Sequence, residues 1–209
     1  MRTAKSLSML SALFLCAASC MAQNMAHSEL FTADPAQSQV AFTLSDTIHT
    51  VHGTFHLQSG NVQFDPSSTP PQSHPMSGLL VVAAASGSSG DGIRDRRMAN
   101  DYLQAQQFAV ATFSPRSYTG AIAPAGDSTI QVEGTFTLHG TPHEITLPMQ
   151  IHIEGGNCVA KTHFAIPYVQ WGIKDPSTFL IHVNKQVDMD ITLAGKLSPS
   201  TALSETRNP

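Results

Sequence analysis

Histidine, cysteine, serine and the charged side chains are what could do chemistry in this chain, and their spacing decides which chemistry is open. There are ten histidines, and His49, His52 and His56 crowd together. On an extended strand residue 49 faces away from 52 and 56. The latter two then share a face about 13 Å apart, too far to share a metal whose ligand bonds are about 2 Å. No H-x-H, H-E-x-x-H or C-x-x-C occurs. Only a site assembled from separate strands would hold a metal, so none is assigned, and the histidines read as solvated or hydrogen-bonded.

Nucleophilic catalysis finds no better footing. There is no G-x-S-x-G, and Gly87-Ser88-Ser89-Gly90 lacks the strand–elbow–helix setting of a nucleophilic serine. The same glycine loop lacks the Lys-Ser/Thr of a phosphate cradle. Cys158 opens an apolar strand and reads as a structural thiol. No catalytic residue is assigned and no enzyme is expected. A hydrolase would need a Ser or Cys hydrogen-bonded to His inside the fold.

The densest charge is Arg94-Asp95-Arg96-Arg97. It reads either as a solvated helix face, with Arg97 and Asp101 an i,i+4 pair, or as an arginine closing a cavity mouth over a polar head group.

The elements that must position these groups are almost all strands. Val40, Phe42 and Leu44 alternate with polar neighbours, and Ile48–Leu57 forms the next run. Ser59-Gly60-Asn61 is expected to turn that run into Val62–Phe64. Residues 65–75 are loop by composition, and Leu79–Ala85 is continuously apolar, as a strand covered on both faces would be. The segment Ser86–Pro115 breaks the period. Asp91 and Asp95 suit a helix N-terminus, and Met98/Tyr102 and Ala99/Leu103 are i,i+4 pairs that let one helix face lie on a sheet.

Beyond it Ala109–Tyr118 is a strand, with Pro115 suiting an edge or bulge. Ile130–Leu138 and Ile145–Ile153 alternate without a miss around a turn at His139–Pro142. Val159–Ile166 and Val187–Leu193 are further strands, separated by a loop at Tyr168–Leu180. Ser28–Pro35 reads as a lead-in and Ser198–Pro209 as a disordered tail. Eight or nine strands joined mostly by short connections stack as a sandwich or close as a barrel. Val51-x-Gly53-Thr54-Phe55-x-Leu57 is echoed by Val132-x-Gly134-Thr135-Phe136-x-Leu138. Each places a mid-strand glycine where the strand bends or something approaches closely.

Residues 1–22 read as a signal peptide: Arg2 and Lys5, then the apolar run Leu7–Ala18, then Cys20-Met21-Ala22. A degenerate lipobox at Ala17-Ala18-Ser19-Cys20, with Cys20 lipidated, is the alternative. The expectation is a periplasmic or secreted protein, with one cysteine left in the mature chain and no internal disulfide. The whole chain carries a net charge of −4, and losing the two leader cations makes the remainder more acidic. That balance argues against a nucleic-acid partner. Charged residues make up only 12 % of the chain, so Thr, Ser and Gln must carry the polar faces.

In order along the chain, Ser38-Gln39-Val40-Ala41-Phe42, His52-Gly53-Thr54-Phe55 and Gly60-x-Val62-x-Phe64-Asp65 resemble the YceI-like family of exported, polyisoprenoid-binding proteins. So do Arg94-Asp95 with Met98, Leu103, Phe108 and Thr112-Phe113, the most specific stretch. Gly134-x-Phe136-Thr137-Leu138-His139-Gly140, Trp171-Gly172-Ile173 and Lys185-x-Val187 complete the set. The resemblance covers nearly the whole mature domain, taken as residues 28–197. Two departures are Ala109–Ala111, where the family often has Pro, and Ala99, where it often has His.

The resemblance implies an all-β fold: an extended, lipocalin-like antiparallel barrel of about eight strands with one short helix. It also implies an isoprenoid-type lipid, polyprenyl or quinone, in an apolar interior, stored or carried in the bacterial envelope without any other cofactor. Candidate lining residues are Phe42, Phe55, Phe64, Val82, Phe136, Leu147, Phe164 and Met189, chosen as large apolar positions on alternating strands. Arg94 and Asp95 are carried over as supports of the helix and mouth. Peripheral membrane contact and a homodimer are both open. A barrel whose core is simply filled, serving as a structural or partner-binding protein, is the alternative.

Overall fold

The computed structural model describes residues 28–66 and 72–200. Ten strand segments form one antiparallel sheet: β1 (Ser28–Ala33), β2 (Gln39–Ser45), β3 (Thr50–Phe55), β4 (Leu57–Phe64), β5 (Ser73–Ala83), β6 (Val110–Thr119), β7 (Gly126–Leu138), β8 (Thr141–Glu154), β9 (Asn157–Ile166) and β10 (Val187–Ser200). Their order is β1-β4-β5-β6-β7-β8-β9-β10-β2-β3, and β1 also pairs with β10. The ladder therefore closes on itself.

The ten segments make eight staves. Along β10, residues 188–192 pair with β2 and residues 195–200 with β1, so β1 and β2 are two halves of one interrupted stave. β3 and β4 are likewise the halves of the next, pairing with β2 and β1 respectively. Where the first stave breaks, Ser38 Oγ stands in for the ladder, donating to the Ala194 carbonyl and accepting from its N–H. The result is a closed, eight-stranded up-and-down barrel, which leaves no long sheet edge exposed.

Four details differ from the sequence reading. The lead-in at Ser28–Pro35 is largely strand β1, whose partners lie at the far end of the chain. Ser59-Gly60-Asn61 is not a turn: β4 runs straight through it with a bulge between Leu57 and Ser59, and the stave is interrupted at His56 instead. Leu79 is 44 % exposed, so the outer face of the apolar run Leu79–Ala85 is not covered there. At the C-terminus β10 reaches Ser200, paired with Ser28, where a tail from Ser198 was expected. The proposed leader at 1–22 and residues 201–209 lie outside the described residues.

Turn chemistry supports the register. His139 and Gly140, joining β7 to β8, both have positive φ (52° and 73°), as does the Gly155-Gly156 pair between β8 and β9 (55° and 79°). Two-residue hairpin turns with both φ positive match the right-handed twist of the strands they join. Pro115 sits at a bulge, where β6 slips against β7 between Pro115 and Ser117.

The helix α1 (Gly92–Arg97) continues into a π-helical turn at Met98–Tyr102, closed by Leu103 N–H donating to the Met98 carbonyl. Asp91 caps it, its Oδ1 accepting from the Ile93 and Arg94 amides.

Candidate functional site

The barrel interior is divided along its axis. One half is filled by buried side chains. Phe31, Phe64, Met76, Tyr118, Ile130, Val132, Leu147, Ile151, Ile153, Cys158 and Leu193 are all buried there, and Tyr118, wholly shielded from solvent, donates its hydroxyl to the Asp65 carbonyl. The other half encloses a cavity of about 620 Å³.

Its walls come from alternate residues of the strands: Phe42 and Leu44 on β2, Val51 and Phe55 on β3, Val82 on β5, Phe136 and Leu138 on β7, Phe164 and Ile166 on β9, and Val187, Met189 and Ile191 on β10. The helix roofs it with Ile93, Arg94, Arg97, Met98, Tyr102 and Leu103. The irregular segment 167–186 closes the remaining side with Tyr168, Ile173, Pro176, Thr178 and Val183.

Small residues make room for large rings. Phe42 lies directly across from Gly53, and a Cβ on Gly53 would strike the Phe42 ring and the Ser88 carbonyl oxygen. In the echoing segment a Cβ on Gly134 would lie 2.5 Å from the Ser114 carbonyl oxygen and 2.7 Å from the Phe113 ring. Both mid-strand glycines thus serve close approach. Phe42 packs on Phe55 (centroids 5.3 Å apart), and Phe136 sits between Phe164 (6.2 Å) and Trp171 (5.8 Å). Trp171 also stacks on His143 at 3.9 Å, tying the roof segment to β8.

Of the eight lining residues expected from sequence, Phe42, Phe55, Val82, Phe136, Phe164 and Met189 are brought together around this cavity. Phe64 and Leu147 are not. Both point inward, but at the packed end, where Phe64 makes an edge contact with Tyr118. Alternation fixes which face of a strand turns inward and carries no information on depth along the barrel axis.

Arg94 lines the mouth. Its Nε donates to Ser89 Oγ (2.7 Å) and an Nη donates to the Ser89 carbonyl (2.8 Å). Asp95 does not line the cavity: its Oδ1 accepts from the Ser89 amide and hydroxyl and so fixes the loop that holds Arg94. Arg97 lies 3.6 Å from Asp101, and both are well exposed. The helix therefore carries a solvated Arg97–Asp101 pair and also places Arg94 and Arg97 along the cavity lining.

Sequence reasoning missed most of the roof. Tyr168, Ile173, Pro176, Thr178 and Val183 follow no period, and only the Trp171-Gly172-Ile173 and Lys185-x-Val187 motifs marked the segment. Tyr168 donates its hydroxyl to the Asn184 carbonyl (2.7 Å). Burial, with Asp175 and Tyr102 nearby, pushes its pKa up to about 12, so it stays protonated.

The serine hydroxyls around the cavity already have other partners, and His139, which also lines it, keeps a buried Nε2 that none of them meets. Ser45 Oγ pairs with Thr50 Oγ1, and Ser89 Oγ is engaged by Asp95 and Arg94. Cys158 lies in the packed half, with its thiol pushed up to about 11 by burial. His52 of the early cluster meets Thr43 Oγ1 on β2 through Nδ1. Among the described residues, no three His, Cys, Asp or Glu side chains are placed to hold a metal ion. The arrangement can enclose an apolar molecule and meet a polar end at the Arg94 mouth.

The family model for the YceI-like domain matches residues 31–195, which takes in the whole barrel except its outermost residues. The chain belongs to the YceI-like family. A UPF0312 protein of Pseudomonas fluorescens (strain SBW25) is 29 % identical over 154 residues, covering 69 % of this chain and 73 % of that protein. The fold is shared with BcnA of Burkholderia cenocepacia (TM-score 0.61, 22 % identity, 78 % of this chain and 99 % of that one). It is shared as well with a polyisoprenoid-binding domain from Saccharophagus degradans implicated in plant cell wall breakdown (TM-score 0.61, 17 % identity, 80 % and 98 %). The Campylobacter jejuni YceI protein is a third such structure (TM-score 0.57, 18 % identity, 72 % and 86 %). The sequence resemblance and the lipocalin-like fold it implied are thus both established.

Proposed function

We propose that this YceI-like protein binds an isoprenoid-type lipid, polyprenyl or quinone, in the open half of its barrel, and stores or carries it in the bacterial envelope. The observation that carries the reading is the apolar cavity of about 620 Å³, walled by Phe42, Phe55, Phe136, Phe164 and Met189. It falls within the roughly 300–1,000 Å³ range of small-molecule sites. Each methylene moved from water into such a lining gains about 0.8 kcal/mol, so a long chain is held without covalent chemistry.

The polyisoprenoid-binding neighbour supports the ligand class. The signal-peptide pattern at residues 1–22 supports the envelope. Binding is favoured over turnover because the serine hydroxyls at the cavity are committed to Thr50, Asp95 and Arg94 rather than to a histidine. A barrel filled throughout is disfavoured by the cavity itself.

The test is native mass spectrometry of the protein recovered from its host without detergent. A bound mass matching a polyprenyl or quinone species is expected. Apo protein that also refuses added isoprenoids would overturn the reading.

A further inference from the structure

The cavity mouth carries large apolar side chains that the barrel does not use. Phe179 is 95 % exposed and Leu180 80 %, while Ile48 and Ile93 are each about two-thirds exposed. All four belong to the segments that frame the opening. Ile93 itself lines the cavity, Asp46 and Thr178 line it beside the other three, and no other part of the described surface gathers so many.

These side chains are presented by ordered backbone. The Thr178 amide donates to the Ile181 carbonyl (2.8 Å) and the Ile181 amide to Thr178 Oγ1 (3.1 Å), closing a turn with Phe179 and Leu180 at its tip. Asp46 Oδ1 accepts from the Ile48 and His49 amides, which sets Ile48 on a turn of its own. The two turns are laced together, Thr47 N–H to the His182 carbonyl, His182 N–H to Thr47 Oγ1, and Asn184 N–H to the Ser45 carbonyl.

Charge is distributed to match. The mouth segments 45–50, 88–103 and 167–186 hold Arg94, Arg96, Arg97, Lys174 and Lys185 against Asp46, Asp91, Asp95, Asp101 and Asp175, and so are neutral. The remaining described residues carry nine acids against Arg116, Lys161 and Lys196. Moreover, Asp46, Asp91 and Asp95 spend their oxygens on backbone amides. Among the described residues, this end of the barrel is the one that can approach an anionic surface without net repulsion.

We propose that the mouth docks on a lipid bilayer, with Phe179 and Leu180 entering the interface and Ile48 and Ile93 resting at headgroup level. A lipid then passes between membrane and cavity along an apolar path instead of through water, where its exposure costs about 0.8 kcal/mol per methylene. Exposed aromatic and aliphatic side chains on a face that does not repel anionic headgroups suit an interfacial contact, whose strength scales with the apolar area buried. The inference rests on reading the cavity as a lipid site, and docking and cavity filling are measured separately below.

The experiment is co-sedimentation of the full chain with vesicles of phosphatidylethanolamine and phosphatidylglycerol, compared with Phe179→Ser/Leu180→Ser carrying the same N-terminus. Partitioning is expected to weaken on the order of a hundredfold, from the loss of two inserted side chains. The thermal midpoint and uptake of the apolar dye N-phenylnaphthylamine are expected to be unchanged, because neither residue lines the cavity. In Phe179→Trp, vesicles with brominated acyl chains are expected to quench emission beyond the wild-type signal from Trp171. Equal partitioning of wild type and double variant, or no added quenching, would overturn the proposal. So would a double variant that dissociates a dimer while neither form binds vesicles, which would give the rim to a second copy of the chain. Vesicle binding without dye uptake would leave docking standing and remove the cavity reading alone.

Discussion

Phe42 on β2 faces Gly53 on β3, and its ring fills the space a side chain at 53 would occupy. The Ser88 carbonyl closes the same space from the other side, because Ser88 and Thr54 exchange backbone hydrogen bonds (2.8 and 2.9 Å) along the free edge of β3. Gly53→Ala would ordinarily gain from restricting the unfolded chain. Here the backbone carbonyl must move, and overpacking of this kind costs about 1–3 kcal/mol. The expected result is a lower urea midpoint, with a matching loss for Gly134→Ala against Phe113 and Ser114. Midpoints equal to wild type would show that the glycines are there for another reason.

The recurrence of that glycine was visible in the sequence, along with the staves from β6 to β10, the hairpin at His139-Gly140 and the helix with its acidic start. Each of these rests on local pattern: period two, a turn dipeptide, a cap. What escaped was non-local. β1 has the sequence Ser-Glu-Leu-Phe-Thr-Ala, too short to alternate clearly, and is a strand because the end of β10 pairs with it. Ser59-Gly60-Asn61 has turn composition, yet Gly60 is there because Leu80 on the next strand leans into it. Phe64 and Leu147 have the same alternating signature as Phe42 and Phe136, and only the closed barrel assigns the first pair to its packed half and the second to its cavity.

Three carboxylates at the mouth give it an acid limit. Asp46, Asp91 and Asp175 are held below the ordinary 3.8, the first two by backbone amides of Ile48 and His49 and of Arg94 and Ile93, the third by the Ser177 hydroxyl and amide. A depressed folded pKa adds stability that is present above 3.8 and disappears as pH falls through the lower folded value. The amide resonances of Ile48, His49, Ile93, Arg94 and Ser177 are therefore expected to titrate with midpoints below 3.8. Asp→Asn at each position should remove the local titration. Midpoints at or above 3.8 would contradict the turn geometry.

Cys158 should be silent in the native protein. Burial raises its pKa from 9.0 to about 11, so the thiolate that would react is scarce at pH 8 and the sulfur is shielded as well. Peptide mapping after iodoacetamide treatment is expected to find Cys158 unmodified in the folded chain and modified in denaturant. The same raised pKa means that the folded state holds this proton more tightly than the unfolded one. Its contribution is complete below pH 9 and declines toward pH 11. Modification of the native protein at pH 8 would mean that the packed half opens.

The division of the interior into a packed half and a cavity makes two inward-facing residues respond oppositely. Phe136 meets Phe164 and Trp171 at the cavity wall, where there is free volume beside it, so Phe136→Trp should fill space without straining the fold. Uptake of an apolar dye or prenyl lipid is expected to fall several-fold with little change in the unfolding midpoint. Leu147 is 4 % exposed within the packed half. Leu147→Ala leaves a void there, and such voids cost about 2–5 kcal/mol, so its midpoint should drop sharply while uptake by the folded fraction is retained. Paired denaturation and binding titrations on the two variants separate these effects. If Leu147→Ala lost uptake in proportion to Phe136→Trp, the two halves would be one continuous site, and the floor beneath the cavity would have to yield to the ligand.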